Sequence, residues 1–230
     1  MKGLLIKDFK LLKNQKQFFL TVSMMGIIFL VVSNNPDFVI SYITIMISIF
    51  TLSTISYDQY NNGMAYLFTL PITRKEYVGE KYVFGLISTA ASLAGVSAIA
   101  YAVAFAKSIE YTLEEWGATV ISSFLIVIIM LAFTIPLQLK FEAEKSRMAL
   151  LAVWGCLFIA IYLMVYIGRK MGIDIEAILD SIFEAKLSTT IIAIILICIA
   201  STIISYLISL KIIKKKEFWS WFTIISAILP

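Results

Sequence analysis

Uncharged apolar stretches and short polar segments alternate along the whole chain. The apolar runs cover residues 18–33, 38–57, 82–106, 116–139, 148–168 and 187–210, and none contains Asp, Glu, Lys or Arg. A helix rising 1.5 Å per residue crosses the hydrocarbon core with roughly 20 apolar residues. Five of the runs reach that length; 18–33 is short and borrows a turn from its flanks. The pattern predicts an all-α, polytopic membrane protein with six transmembrane helices, forming a single transmembrane domain over residues 1–217. With no charge inside any run, neither chemistry nor a charge relay is expected within the bilayer.

The polar segments have structure of their own. In residues 1–17, Leu5, Phe9 and Leu12 recur at helical spacing, while Lys7, Lys10, Asn14 and Gln17 fall on another face. That spacing predicts an N-terminal interfacial helix with its apolar face among lipid headgroups. Between the second and third runs, Asn61-Asn62-Gly63 breaks the helix descending from 38–57. Met64 to Leu70 then makes about two turns with Met64, Leu67 and Phe68 on one side, and Pro71 ends it. Thr73 with Glu76 three residues on is a capping box that starts the helix of the third run. A short helix with an exposed apolar face is thus expected between two turns; either a partner protein or the bilayer surface covers that face. On the other side, Asp174 caps a predicted surface helix over 175–186, and residues 218–230 form an apolar tail that is interfacial or a product of read-through.

Charge sets the orientation. Fifteen of the nineteen lysines and arginines fall before the first run, in the second and fourth loops and after the sixth run. Short loops rich in Lys and Arg stay in the cytoplasm, so both termini are expected there. The net charge of +4 follows from this asymmetry and calls for no nucleic-acid partner. The run at 18–33 continues into Asn34, Asn35 and Pro36 without a small-residue cleavage site, so it reads as an anchor. Cys156 and Cys198 sit near the middles of two runs and read as buried small apolar residues. Alanines at 90, 94, 98, 102 and 106, with Gly95 beside them, form a row suited to close helix packing. Ser41, Thr44, Ser48 and Thr51 make one hydroxyl stripe, and Ser201, Ser205 and Ser209 another. These bond across helices or to their own backbone, or Ser41, Thr44, Ser48, Thr51, Ser201 and Ser205 line a mildly polar translocation path.

The chain contains no histidine, and no paired carboxylates lie inside a run, which removes the usual equipment of an intramembrane hydrolase. Proton-coupled transport normally needs an ionisable residue in a span. No inverted repeat is detectable and nothing resembles a channel filter. A translocation subunit powered by another chain remains, because no Gly-x-x-x-x-Gly-Lys-Ser/Thr phosphate loop occurs here.

The segment from Thr69, Thr-Leu-Pro-Ile-Thr-Arg-Lys-Glu-Tyr-Val-Gly-Glu-Lys, resembles the loop after the second span in ABC-2-type permeases of ABC transporters. The opening Met-Lys-Gly-Leu-Leu-Ile-Lys-Asp-Phe is similar to theirs. So is the stretch from Pro136, Pro-Leu-Gln-Leu-Lys-Phe-Glu-Ala-Glu-Lys-Ser-Arg, although Glu142 and Ser146 stand where that family has glycines. The chain most resembles small Gram-positive permeases that export amphipathic antimicrobial or phenol-soluble-modulin-type peptides. The resemblance implies a permease without a catalytic, cofactor or metal site of its own, joined as a homodimer to two copies of a separate ABC ATPase that binds ATP and Mg. It makes 58–77 a cytoplasmic coupling segment, with Tyr60, Asn61, Met64, Leu67, Phe68, Leu70, Pro71, Arg74, Lys75 and Glu76 as its ATPase contacts. The alternative is an ATP-independent secondary transporter or a membrane-anchored immunity or assembly protein.

Overall fold

The computed structural model describes residues 1–32, 35–60, 63–109, 112–141, 143–170 and 187–216. Among them are eight helices and no strand: α1 Lys2–Asn14, α2 Lys16–Val32, α3 Pro36–Gln59, α4 Gly63–Leu67, α5 Arg74–Ala106, α6 Leu113–Lys140, α7 Ala143–Lys170 and α8 Leu187–Lys215. The expected outer helix at 175–186, the tail at 218–230 and the breaker residues Asn61 and Asn62 lie outside the described residues.

Helices α3, α5, α6, α7 and α8 are each long and apolar enough to cross a membrane, and the bent pair α1–α2 makes a sixth. The pair is bent by 63° at Gln15, which separates the polar first helix from the apolar second. Local chemistry sets the starts. Asn35 accepts from the backbone N–H groups of Asp37 and Phe38 at 3.1 and 3.4 Å, with Pro36 at the first helical position. Thr73 and Glu76 form the expected capping box, and Thr112 with Glu115 forms a second one at the head of α6.

The bundle is organised around α3, which packs against α5 and α6, while α8 lies along α6 and α5. Side-chain pairs give the directions. Ser41 meets Ser123 near one end of α3 and α6, and Gln138 donates to Ser56 near the other, so those two helices are parallel. Thr54 meets Lys81, so α5 runs against them. Phe19 packs beside Phe50 to hold α2 on α3. The main core, including Ile55, Tyr77, Val78, Leu131, Ile135, Leu139 and Ile213, sits toward the end of the bundle that carries the basic segments.

Two expectations about packing change. The alanines at 90, 94, 98, 102 and 106 are all exposed rather than packed on another described helix; Gly85, Ser88, Ser97, Ala100 and Ala104 are among the small residues that α5 buries. Cys198 is buried against α6, but Cys156 is exposed on α7.

Candidate functional site

Three elements converge at the basic end: α1, the α3–α4–α5 connection and the end of α8. The connection begins tightly. A Cβ at Gly63 would stand 2.8 Å from the Asp58 carbonyl oxygen, so only glycine lets the chain turn back under α3 there. Helix α4 is one turn, ending at Leu67 rather than Leu70, and turn residues carry the chain past Pro71 to the Thr73 cap. Its apolar residues are not a free face. Met64 is 3% and Leu67 9% exposed, both in the main core, and Phe68 packs on Tyr77 with ring centroids 5.7 Å apart. The side turned outward carries Tyr60, Tyr66 and Leu70, at 69%, 73% and 45% exposure, followed by Pro71 and Lys75. Arg74 donates to the Lys214 carbonyl, tying this connection to the end of α8, and Glu76 closes the cap.

Behind the connection lies a buried cluster of charges. Lys81 has no exposed side-chain surface; its Nζ stands 2.5 Å from Asp8 Oδ2, 2.8 Å from Asp58 Oδ2 and 3.2 Å from Thr54 Oγ1. Tyr77 donates to Asp58 Oδ2 at 3.1 Å, and Lys7 donates to Asp58 Oδ1 while standing 3.2 Å from Asp8 Oδ1. Lys7 and Asp8 from α1, Thr54 and Asp58 from α3, and Tyr77 and Lys81 from α5 are thereby locked together. Burial opposes ionisation of Asp8, but the ammoniums of Lys81 and Lys7 outweigh it and hold the carboxyl below its usual range. Glu80 is equally buried, 3.5 Å from Lys81.

This cluster also gives α1 a second face. Leu4 and Asp8 are buried in the protein, packed on α5 beside Tyr77 and Lys81, while Leu5, Phe9 and Leu12, the face expected among headgroups, stay partly or largely exposed. Phe9 stays half-exposed against Phe84, 5.2 Å between centroids. The sequence did carry a signal: Asp8 is the lone acid among residues 1–17, and Asp58 and Lys81 directly abut apolar runs on consecutive spans. A chain whose runs lack charge still has a cluster of ion pairs packed against their ends.

The two hydroxyl stripes are kept apart by α6. Thr44 and Ser48 donate to backbone carbonyls on their own helix, Ser41 pairs with Ser123 at 2.8 Å, and Thr51 is buried beside Gly85. On α8, Ser205 bonds the Ala132 carbonyl and shares the Tyr82 hydroxyl with Ser209 at 2.5 and 2.9 Å. Ser201 and Ser205 border a cavity of about 480 Å³ between α6, α7 and α8. A larger groove of about 840 Å³, lined almost wholly by apolar side chains such as Leu93, Phe124 and Ile199, runs between α5, α6 and α8, and Ala90 and Ala94 form part of its wall.

The described helices form a multi-pass membrane bundle with one short helix between the second and third spans. A family model described as ABC-2 family transporter protein matches residues 3–214, and the chain belongs to that family. It is an ABC-2-type permease, a multi-pass membrane subunit of the kind that works with an ABC ATPase. No curated protein and no solved structure matches the chain.

Proposed function

We propose that this chain is the translocation subunit of an ATP-driven exporter that moves amphipathic peptides or similarly hydrophobic cargo outward, coupled to a separate ATPase through residues 58–77. The observation that carries the reading is the α3–α4–α5 connection: a one-turn helix rooted in the core by Met64 and Leu67, with an aromatic and apolar outer side at Tyr60, Tyr66 and Leu70. A rigidly seated helix transmits a push, whereas a loose loop absorbs it. Aromatic anchors on such a seat are the residues that dominate small interfaces. The basic end then faces the cytoplasm, where ATP and Mg are held by the partner. The outward alanine row on α5 suits a second permease copy, since small residues let helices approach closely in lipid. The long apolar groove fits cargo with a hydrophobic face better than an ion.

The test is co-purification and peptide export with the cognate ATPase. Tyr66→Glu combined with Leu70→Glu should leave the permease inserted and stable while weakening ATPase association by at least about 2 kcal/mol, roughly thirtyfold, and stopping export. Leu67→Glu should instead reduce the amount of folded protein, because Leu67 is buried. Leu113→Glu, exposed at the opposite end, should change neither. Full ATPase binding and export by the double variant would remove the coupling role from this segment.

A further inference from the structure

Glu80 has no exposed surface, and neither of its carboxyl oxygens accepts a hydrogen bond. Lys81 Nζ stands 3.5 Å from Oε2, beyond a good hydrogen bond. An ammonium has three N–H donors. Those of Lys81 are matched by Asp8 Oδ2, Asp58 Oδ2 and Thr54 Oγ1, all closer than Glu80. Lys7 is engaged by Asp58 Oδ1 and Asp8 Oδ1.

The surrounding groups complete the account. From α1 come Lys7, Asp8 and, at the exposed edge, the Met1 amino group, which pairs with Glu76 at 3.8 Å. From α3 comes Asp58, and from α5 itself come Lys81 and the Tyr77 phenol, which donates to Asp58. Helix α8 presents the Tyr206 hydroxyl beside Gly79. One buried ammonium, Lys81, and one partly exposed ammonium, Lys7, therefore face three buried carboxyls; with all of them ionised the cluster carries one excess negative charge, and Glu80 is the carboxyl that no hydrogen-bond donor reaches. An unpaired buried charge is strongly unfavourable, and the ordinary relief is to bind a proton.

We propose that Glu80 is a proton-binding site: the closed cluster holds one proton on the Glu80 carboxyl, and loss of that proton releases α1 from α3 and α5. The protonated carboxyl gains an O–H donor, and the facing Asp8 has an oxygen, Oδ1, that stands 3.2 Å from the Lys7 ammonium but accepts no hydrogen bond and so can take this one. When the proton passes to solvent, Glu80 and Asp8 become two like charges in a buried site. Asp8 relieves the repulsion by leaving with α1, which carries Lys7 with it and leaves Lys81 to Asp58 and Glu80. The occupant is a proton rather than a divalent metal, since no group of acids among the described residues is arranged to hold a metal ion. The proposal needs no assumption about cargo or ATPase.

The test uses the full chain in detergent, with exposed Cys156 replaced by serine. Infrared difference spectra of the parent minus Glu80→Gln should show the carbonyl stretch of a protonated carboxyl near neutral pH, lost as pH rises. In parallel, Leu4→Cys reports α1 docking by its rate of maleimide labelling, normalised to Lys10→Cys on the exposed face. Normalised labelling at position 4 should rise with pH in the parent and stay low throughout in Glu80→Gln, while Glu80→Asp retains a pH-dependent rise. Absence of the carbonyl band, or the same rise in Glu80→Gln as in the parent, overturns the proposal. So does protection of position 4 by sodium chloride but not choline chloride at fixed pH, because the occupant would then be a metal cation.

Discussion

At the scale of single residues, Lys81 is the side chain on which the basic end depends most. Its ammonium lies between Asp8 and Asp58, both almost wholly buried, and Lys7, the other cation of the cluster, is partly exposed. Such a cluster is weak evidence for extra stability over an apolar core of the same shape. Breaking it is a different matter, because removal of one partner strands the others. Lys81→Met should therefore lower stability by roughly 3–5 kcal/mol in denaturant unfolding of the detergent-solubilised protein. Lys75→Met, six residues earlier and exposed, should change it by no more than about 0.5 kcal/mol. Equal effects of the two substitutions would show that the buried cluster is not an energetic unit.

At the scale of elements, the contact of α5 with α3 and α6 is set by a close approach at Gly85. A Cβ there would meet Leu131 Cδ1 at 3.1 Å and Thr51 Cγ2 at 3.4 Å, so any larger side chain must push one helix away. Gly85→Ile should cost about 1–3 kcal/mol by overpacking, read in the same unfolding measurement. Gly95, beside the alanine row, has open space where its Cβ would be. Gly95→Ile should leave the stability of the single chain unchanged and, with a second permease packing on that face, reduce dimer recovery in crosslinking. An unfolding loss at Gly95 as large as at Gly85 would mean that the row is already packed within the chain. The same reasoning explains α4: its one turn persists because Met64 and Leu67 are buried, since isolated helices of that length are not stable in water.

At the scale of the whole molecule, the asymmetry of basic residues and the alternation of helix directions place α1, α4 and the end of α8 together on one side of the membrane. With Cys156 removed, a cysteine replacing Glu114 should react with an impermeant thiol reagent in intact cells, and one replacing Lys75 only after permeabilisation. The opposite pattern would invert the bundle and separate the proposed coupling segment from any cytoplasmic ATPase.

Sequence alone determined the all-helical plan, the spans, the Thr73 cap and the clustering of positive charge, because each follows from hydrophobicity, capping or charge within a stretch of neighbouring residues. The second capping box, at Thr112 and Glu115, was equally local. Tertiary structure alone decided which side of α4 is buried, which way the alanine row faces and that α6 separates the two hydroxyl stripes. It also decided that Asp8, Asp58, Glu80 and Lys81 meet, residues up to 73 positions apart. Helical periodicity shows which residues share a face but not what that face meets. In a membrane, apolar surface is comfortable against lipid and protein alike, so only the packing of distant helices settles which apolar faces, and which of the flanking charges, turn inward.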